Sequence, residues 1–195
     1  MNKTNGDIMA LLPITLIGDK ILRHKSKRIK DVDMETVELI KDMFQTMRNA
    51  NGIGLAANQV GSDKSIIVMD LSVVEDYSNL KPMVLINPEI IYRSEEKIIM
   101  EEGCLSIPDI RCEIERPKDI IIKYQDTEMK EQQLEASDLL ARVAQHEFDH
   151  LNGILFTDLI DQMEKKRLRK PLHRIKTRQH EVSYPVTENS DYILS

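Results

Sequence analysis

Cysteine is scarce in this chain: among 195 residues only Cys104 and Cys112 carry a thiol. Two are too few for the disulfide framework of a small secreted protein, so a reducing cytoplasm is the expected compartment. A surplus of positive charge is also missing. Lys and Arg number 27 against 33 Asp and Glu, for a net charge of −6, so the chain as a whole is not built to coat DNA, RNA or an acidic membrane, and any basic contact must be local. Long apolar runs are absent as well. The stretch from Ile8 to Ile17 is broken by Pro13, only Lys3 precedes it, and no small-residue cleavage site follows. It is expected to be neither signal peptide nor membrane span, and without Arg it makes a poor transit peptide. There is no internal repeat.

The length suits one domain with its own hydrophobic core. Residues 1–176 are expected to form that single domain, and 177–195, polar and unpatterned, a flexible tail. From Asp33, a plausible N-cap, Met34, Val37, Ile40, Met43, Phe44 and Met47 recur at helical spacing up to Asn51-Gly52, which predicts an amphipathic helix. Gly52 to Gln59 is too glycine-rich for a core helix and too apolar for a solvated loop, so its backbone is expected to be open to close approach. Short apolar runs at Ser65–Asp70, Met83–Ile86, Lys97–Met100 and Asp119–Tyr124 read as strands. A second helix is expected from about Ser137 to Leu151, stopping at Asn152-Gly153, and a third from Asp158 to about Lys170, ending at Pro171. Without βα alternation the order implies an α+β fold: a mostly antiparallel sheet around a central helix, with an N-terminal amphipathic helix and a C-terminal helix.

The central helix carries His146-Glu147-Phe148-Asp149-His150. Four residues is close to one helical turn, so both imidazoles project from one face and can grip one divalent ion, while Glu147 stands about 100° round the helix. HExxH on a helix is the spacing of a hydrolytic metal site. Catalytic zinc usually takes three protein ligands, however, and here only two are evident. A third histidine of the HExxHxxGxxH kind is excluded because Phe156 stands in its place, although Gly153 fits. Glu164 is a weak downstream alternative. Upstream, Cys104 follows Gly103, and a thiolate with two imidazoles makes an open three-ligand site for zinc or ferrous iron. A lone cysteine is more often a small buried hydrophobe, but beside a two-histidine helix lacking a third ligand Cys104 is the preferred reading.

Three segments, Gly52-Ile53-Gly54-Leu55-Ala56-Ala57-Asn58-Gln59, Glu102-Gly103-Cys104-Leu105-Ser106 and Gln145-His146-Glu147-Phe148-Asp149-His150-Leu151, resemble in order and separation the signature motifs of the peptide deformylases. The resemblance extends over roughly Thr15 to Ile160. It implies removal of the formyl group from the N-terminal formyl-methionine of new bacterial polypeptides, in the cytoplasm, with release of formate. Cys104, His146 and His150 would hold one divalent metal, Fe²⁺ natively, with Zn²⁺, Ni²⁺ or Co²⁺ in purified material. Water on that metal would attack the formyl carbon, with Glu147 as general base and then acid. The Gln59 side-chain amide and the Leu105 backbone N–H would stabilise the oxyanion. Gly54 would present its backbone to the substrate, and Gly103 also belongs to the implied binding surface.

Leu139 and Val143 fall on the helix face of His146 and His150, one and two turns earlier. With Ile53 and Met100 they could line a methionine pocket; ordinary core packing is the competing reading, and the stronger one for Met100. Glu102 and Arg116 match positions that pair near the site, and Arg111 one that can meet the peptide backbone. Cys112 is read as structural, and His24, His173 and His180 receive no role. The basic run Lys165, Lys166, Arg167, Arg169, Lys170, Arg174, Lys176 and Arg178 allows a ribosome contact, against the simpler reading of a solvated helix end favoured by the macrodipole. Two rivals stand beside the hydrolase reading: an HExxH metallopeptidase, and a metal-stabilised binding protein without catalysis. The chain departs from the family pattern at Lys20, where proline is usual after Gly18-Asp19, and at Asp126-Thr127-Glu128-Met129, which lacks a common glycine.

Overall fold

The protein is described here by a computed structural model covering residues 11–188 and 190–194; the start of the apolar stretch at Ile8 lies outside these. The first long helix, α1 (Met34–Asn49), begins where Asp33 accepts the Thr36 amide at 2.8 Å, a side-chain cap that satisfies one of the donors left over at a helix start. Its buried face, Leu39, Ile40, Met43 and Met47, packs against strands β1 (Gly54–Ala56) and β2 (Ile66–Met69) through Leu55, Ile66 and Val68. Full burial of Met43 or Met47 stabilises the fold by about 1.5–3 kcal/mol each. The opposite face of β2, Ile67 and Met69, belongs to a second cluster with Leu85, Ile120 and Ile122. Because side chains alternate across a strand and both faces are covered, β2 reads as an unbroken apolar run and not as an alternating one.

Five strands form the main sheet in the order β1-β2-β3-β6-β7, all neighbours antiparallel, with β3 Met83–Arg93, β6 Asp119–Gln125 and β7 Glu131–Ser137. Between β3 and its sheet neighbour β6 the chain makes an excursion, the two-stranded hairpin β4 (Lys97–Cys104) and β5 (Ile107–Pro117). Helix α2 (Asp138–Leu151) follows β7 directly and lays Leu140, Ala141, Val143 and Ala144 on the second cluster. Ser137 occupies its N-cap without making a side-chain cap bond.

A third cluster joins Ile107, Ile110, Cys112 and Ile114 of β5 to Leu16, Ile17, Phe156, Leu168 and Ile175. The C-terminal helix departs from expectation at both ends. It is divided into α3 (Phe156–Leu159) and α4 (Gln162–Lys176), because Asp161 accepts the Glu164 amide and starts a new helix. Pro171 lies inside α4 instead of ending it. The lost backbone bond, costly in an isolated helix, is offset by Leu168 and Ile175, two turns apart and both buried in the third cluster.

The segment after Thr177 is the larger correction, for it docks where a flexible tail was expected. Val186 makes a parallel bridge to Ile14, Arg178 pairs with buried Asp19 at 2.5 Å, and Leu194 donates its amide to the Gly61 carbonyl. Polar composition concealed this because the anchors are single side chains distant in sequence. At the β6–β7 turn, where glycine is absent, Met129 itself takes φ of 61° and Asp126 accepts the amides of Glu128 and Lys130. Packing of Met129 against the first cluster helps offset that left-handed conformation.

Candidate metal centre

Helix α2 and the β4–β5 hairpin together bring Cys104, His146 and His150 to one point, with a donor atom of each within 4.8 Å of the others. Cys104 ends β4, and Leu105-Ser106 is the short link into β5. The Cys104 Sγ lies 3.1 Å from His150 Nε2, and the two imidazoles meet edge to face with centroids 4.9 Å apart. Phe156, which replaces the third histidine of the rejected pattern, stacks on His146 at 6.1 Å. Glu164, the weak alternative ligand, pairs instead with Arg167 and approaches Cys112.

The surroundings orient these donors. His146 gives its Nδ1 hydrogen to Glu102 at 2.9 Å, which leaves Nε2 for the shared point and is the usual carboxylate support of a ligating histidine. Glu102 is itself gripped by Arg116 Nε at 2.6 Å and Arg142 Nη1 at 2.7 Å, while Arg116 also reaches Asp149 at 2.6 Å. Burial would raise the Glu102 carboxyl, but the bonds from His146 and Arg116 outweigh it and hold the group well below the usual carboxylate range. Burial would likewise strip the proton from His146, yet its contacts with Cys104 and Glu102 hold its pKa well above the ordinary value. His150 is pushed the other way, chiefly by burial and then by the charges of His146 and Arg116, and stays neutral. A neutral imidazole, an imidazole fixed through its far nitrogen and a cysteine sulfur fit a divalent cation of the zinc or ferrous class.

Glu147 faces the same cleft from α2. Burial lifts its pKa to about 7, and its Oε2 is buried without a hydrogen-bond partner among the described residues. Strand β1 passes so near that a Cβ on Gly54 would lie 2.6 Å from Glu147 Oε1 and 2.8 Å from Val143 Cγ1. Gly52–Gln59, expected as open backbone, is thus partly a buried strand against α2, followed by a short 3₁₀ turn. Gln59 is held there with its Oε1 accepting the Ala56 amide at 2.8 Å, and this places its NH₂ toward Ser106 Oγ (3.2 Å) and Cys104 Sγ (3.5 Å). A carboxamide whose oxygen is occupied can only donate into the site.

A cleft of about 910 Å³ opens over this centre, lined by Ile53, Gly54, Gly103, Leu105, Leu139 and Val143 among others. Arg111 stands at its rim, its side chain 67% exposed beside Glu101 at 3.5 Å. Met100 does not line it and is withdrawn from the expected pocket: it sits half-buried on β4 opposite Ile114, one turn of the pleat beyond Glu102. Glu102 is corrected too. It borders the cleft, but both oxygens are committed to Arg116, Arg142 and His146, so it supports a donor and has none of its capacity left for substrate. Arg142 and Tyr184 were not anticipated. Arg142 had a legible signal, a cation one turn before His146 on the same helix face; it also donates to the carbonyls of Ile114 and Ile98. Tyr184, whose hydroxyl donates to the Leu105 carbonyl at 2.7 Å, lies in the segment whose composition suggested a tail.

A family model described as polypeptide deformylase matches residues 11–166. The peptide deformylase of Prosthecochloris aestuarii is 45% identical over 178 residues, covering 91% of this chain and 95% of that protein, and the one from Pseudothermotoga lettingae is 46% identical over 88% of this chain and 95% of its own length. Among solved structures, a peptide deformylase from Ehrlichia chaffeensis in complex with actinonin superposes with a TM-score of 0.79 at 36% identity, covering 89% of this chain and all of that one at 100%.

Proposed function

The chain belongs to the polypeptide deformylase family, and on that footing we propose that Cys104, His146 and His150 hold its divalent metal while Glu147, Gln59 and the Leu105 amide carry the chemistry. The protein is a metal-dependent hydrolase that removes the N-formyl group from nascent peptides. One observation supports the assignment of residues above the rest: the three donor atoms converge beside a buried carboxyl whose pKa of about 7 lets it both accept and return a proton near neutrality. When bound, the ion supplies Lewis acidity toward water and the formyl oxygen.

Glu147 takes a proton from the water that adds to the formyl carbon. As the C–N bond breaks, it passes that proton to the departing amine nitrogen, so formate and a free N-terminus leave together. The Gln59 NH₂ and the Leu105 N–H donate to the oxygen on which negative charge builds, donors already in place before the reaction starts. Ile53, Leu139 and Val143 supply apolar surface beside the centre for the methionine side chain, with Gly54, Gly103 and Arg111 meeting the peptide chain. The donor set suits Fe²⁺ and Zn²⁺ alike; we take Fe²⁺ as the native ion, with Zn²⁺, Ni²⁺ or Co²⁺ replacing it after purification in air, and metal analysis of anaerobically purified protein alongside formate release tests this. We place the enzyme in the bacterial cytoplasm with the nascent chain as its partner. No helix among the described residues is long and apolar enough to cross a membrane.

Formate release from formyl-Met-Ala-Ser, set against the unformylated peptide, is the deciding measurement. Glu147→Ala is expected to keep its metal and lose at least about 10²-fold in rate, the usual contribution of a positioned acid/base. Cleavage of the peptide bond without formate would instead favour the metallopeptidase rival, and no turnover of either peptide, with Glu147→Ala indistinguishable from wild type, the non-catalytic one.

A further inference from the structure

Residues 178–187 leave α4 and return almost to their starting point, since Arg178 Nε donates to the Thr187 carbonyl at 3.0 Å. Both ends are tied to one buried carboxylate, Asp19, by Arg178 Nη2 at 2.5 Å and Thr187 Oγ1 at 2.6 Å. The Ile14 amide donates to the Pro185 carbonyl and the Thr187 amide to the Ile14 carbonyl. His180 binds Asp109 of β5 at 2.8 Å. A loop of this length with adjoining, anchored ends is a compact Ω-loop, a class of segment that often bears function. Its far side, Glu181 to Tyr184, forms one wall of the cleft over the metal centre.

We propose that Tyr184 is a positioning residue for the Leu105 peptide, and that the 178–187 loop exists in part to deliver its hydroxyl. The proposal rests on the deformylase reading for the role of the Leu105 N–H. Leu105 follows the last residue of β4, and its neighbour Ser106 is fixed by the Ile17 amide, which donates to the Ser106 carbonyl at 2.8 Å. Between these anchors the Leu105 φ and ψ are the soft coordinates that aim its N–H. The Tyr184 hydroxyl holds the Leu105 carbonyl at 2.7 Å and so restrains the peptide plane on the far side of the same Cα. The Tyr184 hydroxyl is protonated at neutral pH in any setting, and burial, followed by the charges of Cys104 and Asp109, only raises its pKa further, so it stays a donor. Pro185 behind it confines the Tyr184 backbone to extended conformations.

Tyr184→Phe keeps the ring and removes only the donor. It is expected to retain metal and fold, to hold KM for formyl-Met-Ala-Ser within about twofold and to lower kcat about 3- to 10-fold, the scale of one neutral hydrogen bond. Amide hydrogen exchange over Leu105–Ile107 is expected to quicken. A kcat equal to wild type, or a loss confined to KM, would overturn the positioning role, the latter making Tyr184 a passive wall. If the wild-type protein releases no formate, the activity reading fails on its own. Hydrogen exchange then decides alone, and an unchanged rate at Leu105–Ile107 in Tyr184→Phe refutes the proposal.

Discussion

Replacing Gly54 with alanine adds a single carbon where strand and helix leave no room for it. Built on the existing backbone, that Cβ meets Glu147 Oε1 at 2.6 Å, Val143 Cγ1 at 2.8 Å and Glu147 Cγ at 3.0 Å; ordinary packing does not tolerate the first two, and the third is tight. Val143 cannot yield, because a β-branched side chain in a helix has essentially one χ1 state. The misfit therefore falls on the Glu147 side chain or on β1, which carries the three-residue pairing with β2. Overpacking of this kind costs about 1–3 kcal/mol, which would lower a urea midpoint by roughly 1 M at the m-values usual for a small domain. If Glu147 is the group that moves, a displacement near 1 Å is enough to cost about 10²-fold in rate. Metal content should hold, since no metal donor is among the three atoms nearest the new carbon. The assays are kcat and KM for formyl-Met-Ala-Ser, urea unfolding and metal analysis on one preparation. A variant with wild-type kcat and an unshifted midpoint would refute the reasoning, for it would mean that β1 and α2 are not in the contact that defines the site.

Three further outcomes follow from the same geometry. Glu102→Gln leaves Arg116 and Arg142 facing a neutral amide in a buried setting, so the metal-free protein should lose about 3 kcal/mol and metal affinity should fall about 10- to 100-fold through the slackened His146; affinity within twofold of wild type counts against Glu102 as the support. Asp70 bonds Ser72 Oγ at 2.6 Å and Arg48 Nη2 at 2.7 Å; burial would raise its carboxyl, but these bonds prevail and hold it below the ordinary 3.8. A depressed carboxyl stabilises above that ordinary value and loses its contribution as pH falls through the lower, folded one. The stability gap between wild type and Asp70→Asn should be constant near neutrality and close below pH 3.8, and a gap that widens in acid would show the sign to be wrong. Reversing Lys166, Arg169, Lys170 and Arg174 to Glu should abolish binding to ribosomes if the basic face of α4 is a contact for ribosomal RNA; unchanged binding in a sedimentation assay removes that idea and leaves the solvated helix end.

What could be read from residues alone was whatever depended on short-range periodicity. His146 and His150 share a helix face because four residues make about one turn, and α1 ends near Asn51-Gly52 for reasons equally local. Strand β5 is written in strict alternation, Ile110, Cys112, Ile114 and Arg116 inward, but the charged residues between them dilute it beside the short apolar runs that read more plainly as strands. Met100 failed because position along a strand does not say how far the cleft extends. Pro171 failed as a stop because two buried residues of α4, distant in effect from the proline, outweigh one missing hydrogen bond.

The loop at 178–187 shows where local reasoning ends. None of its residues forms a pattern, and its composition is that of a solvated tail. Its order depends on Asp19, which stands 159 positions before Arg178 in the chain and is itself held by the Leu16 amide at 3.0 Å. One buried carboxylate with an arginine and a threonine hydroxyl on it ties the two ends of the loop together, and the closed loop sets Tyr184 against Leu105. A polar segment can thus be ordered by the acid it reaches, with a single apolar residue, Val186, packed on the third cluster beside it. The residues that hold the reacting groups still, Glu102 through Arg142 and Leu105 through Tyr184, are tied by contacts of this long-range kind, whereas the donors themselves announce their chemistry by type and spacing.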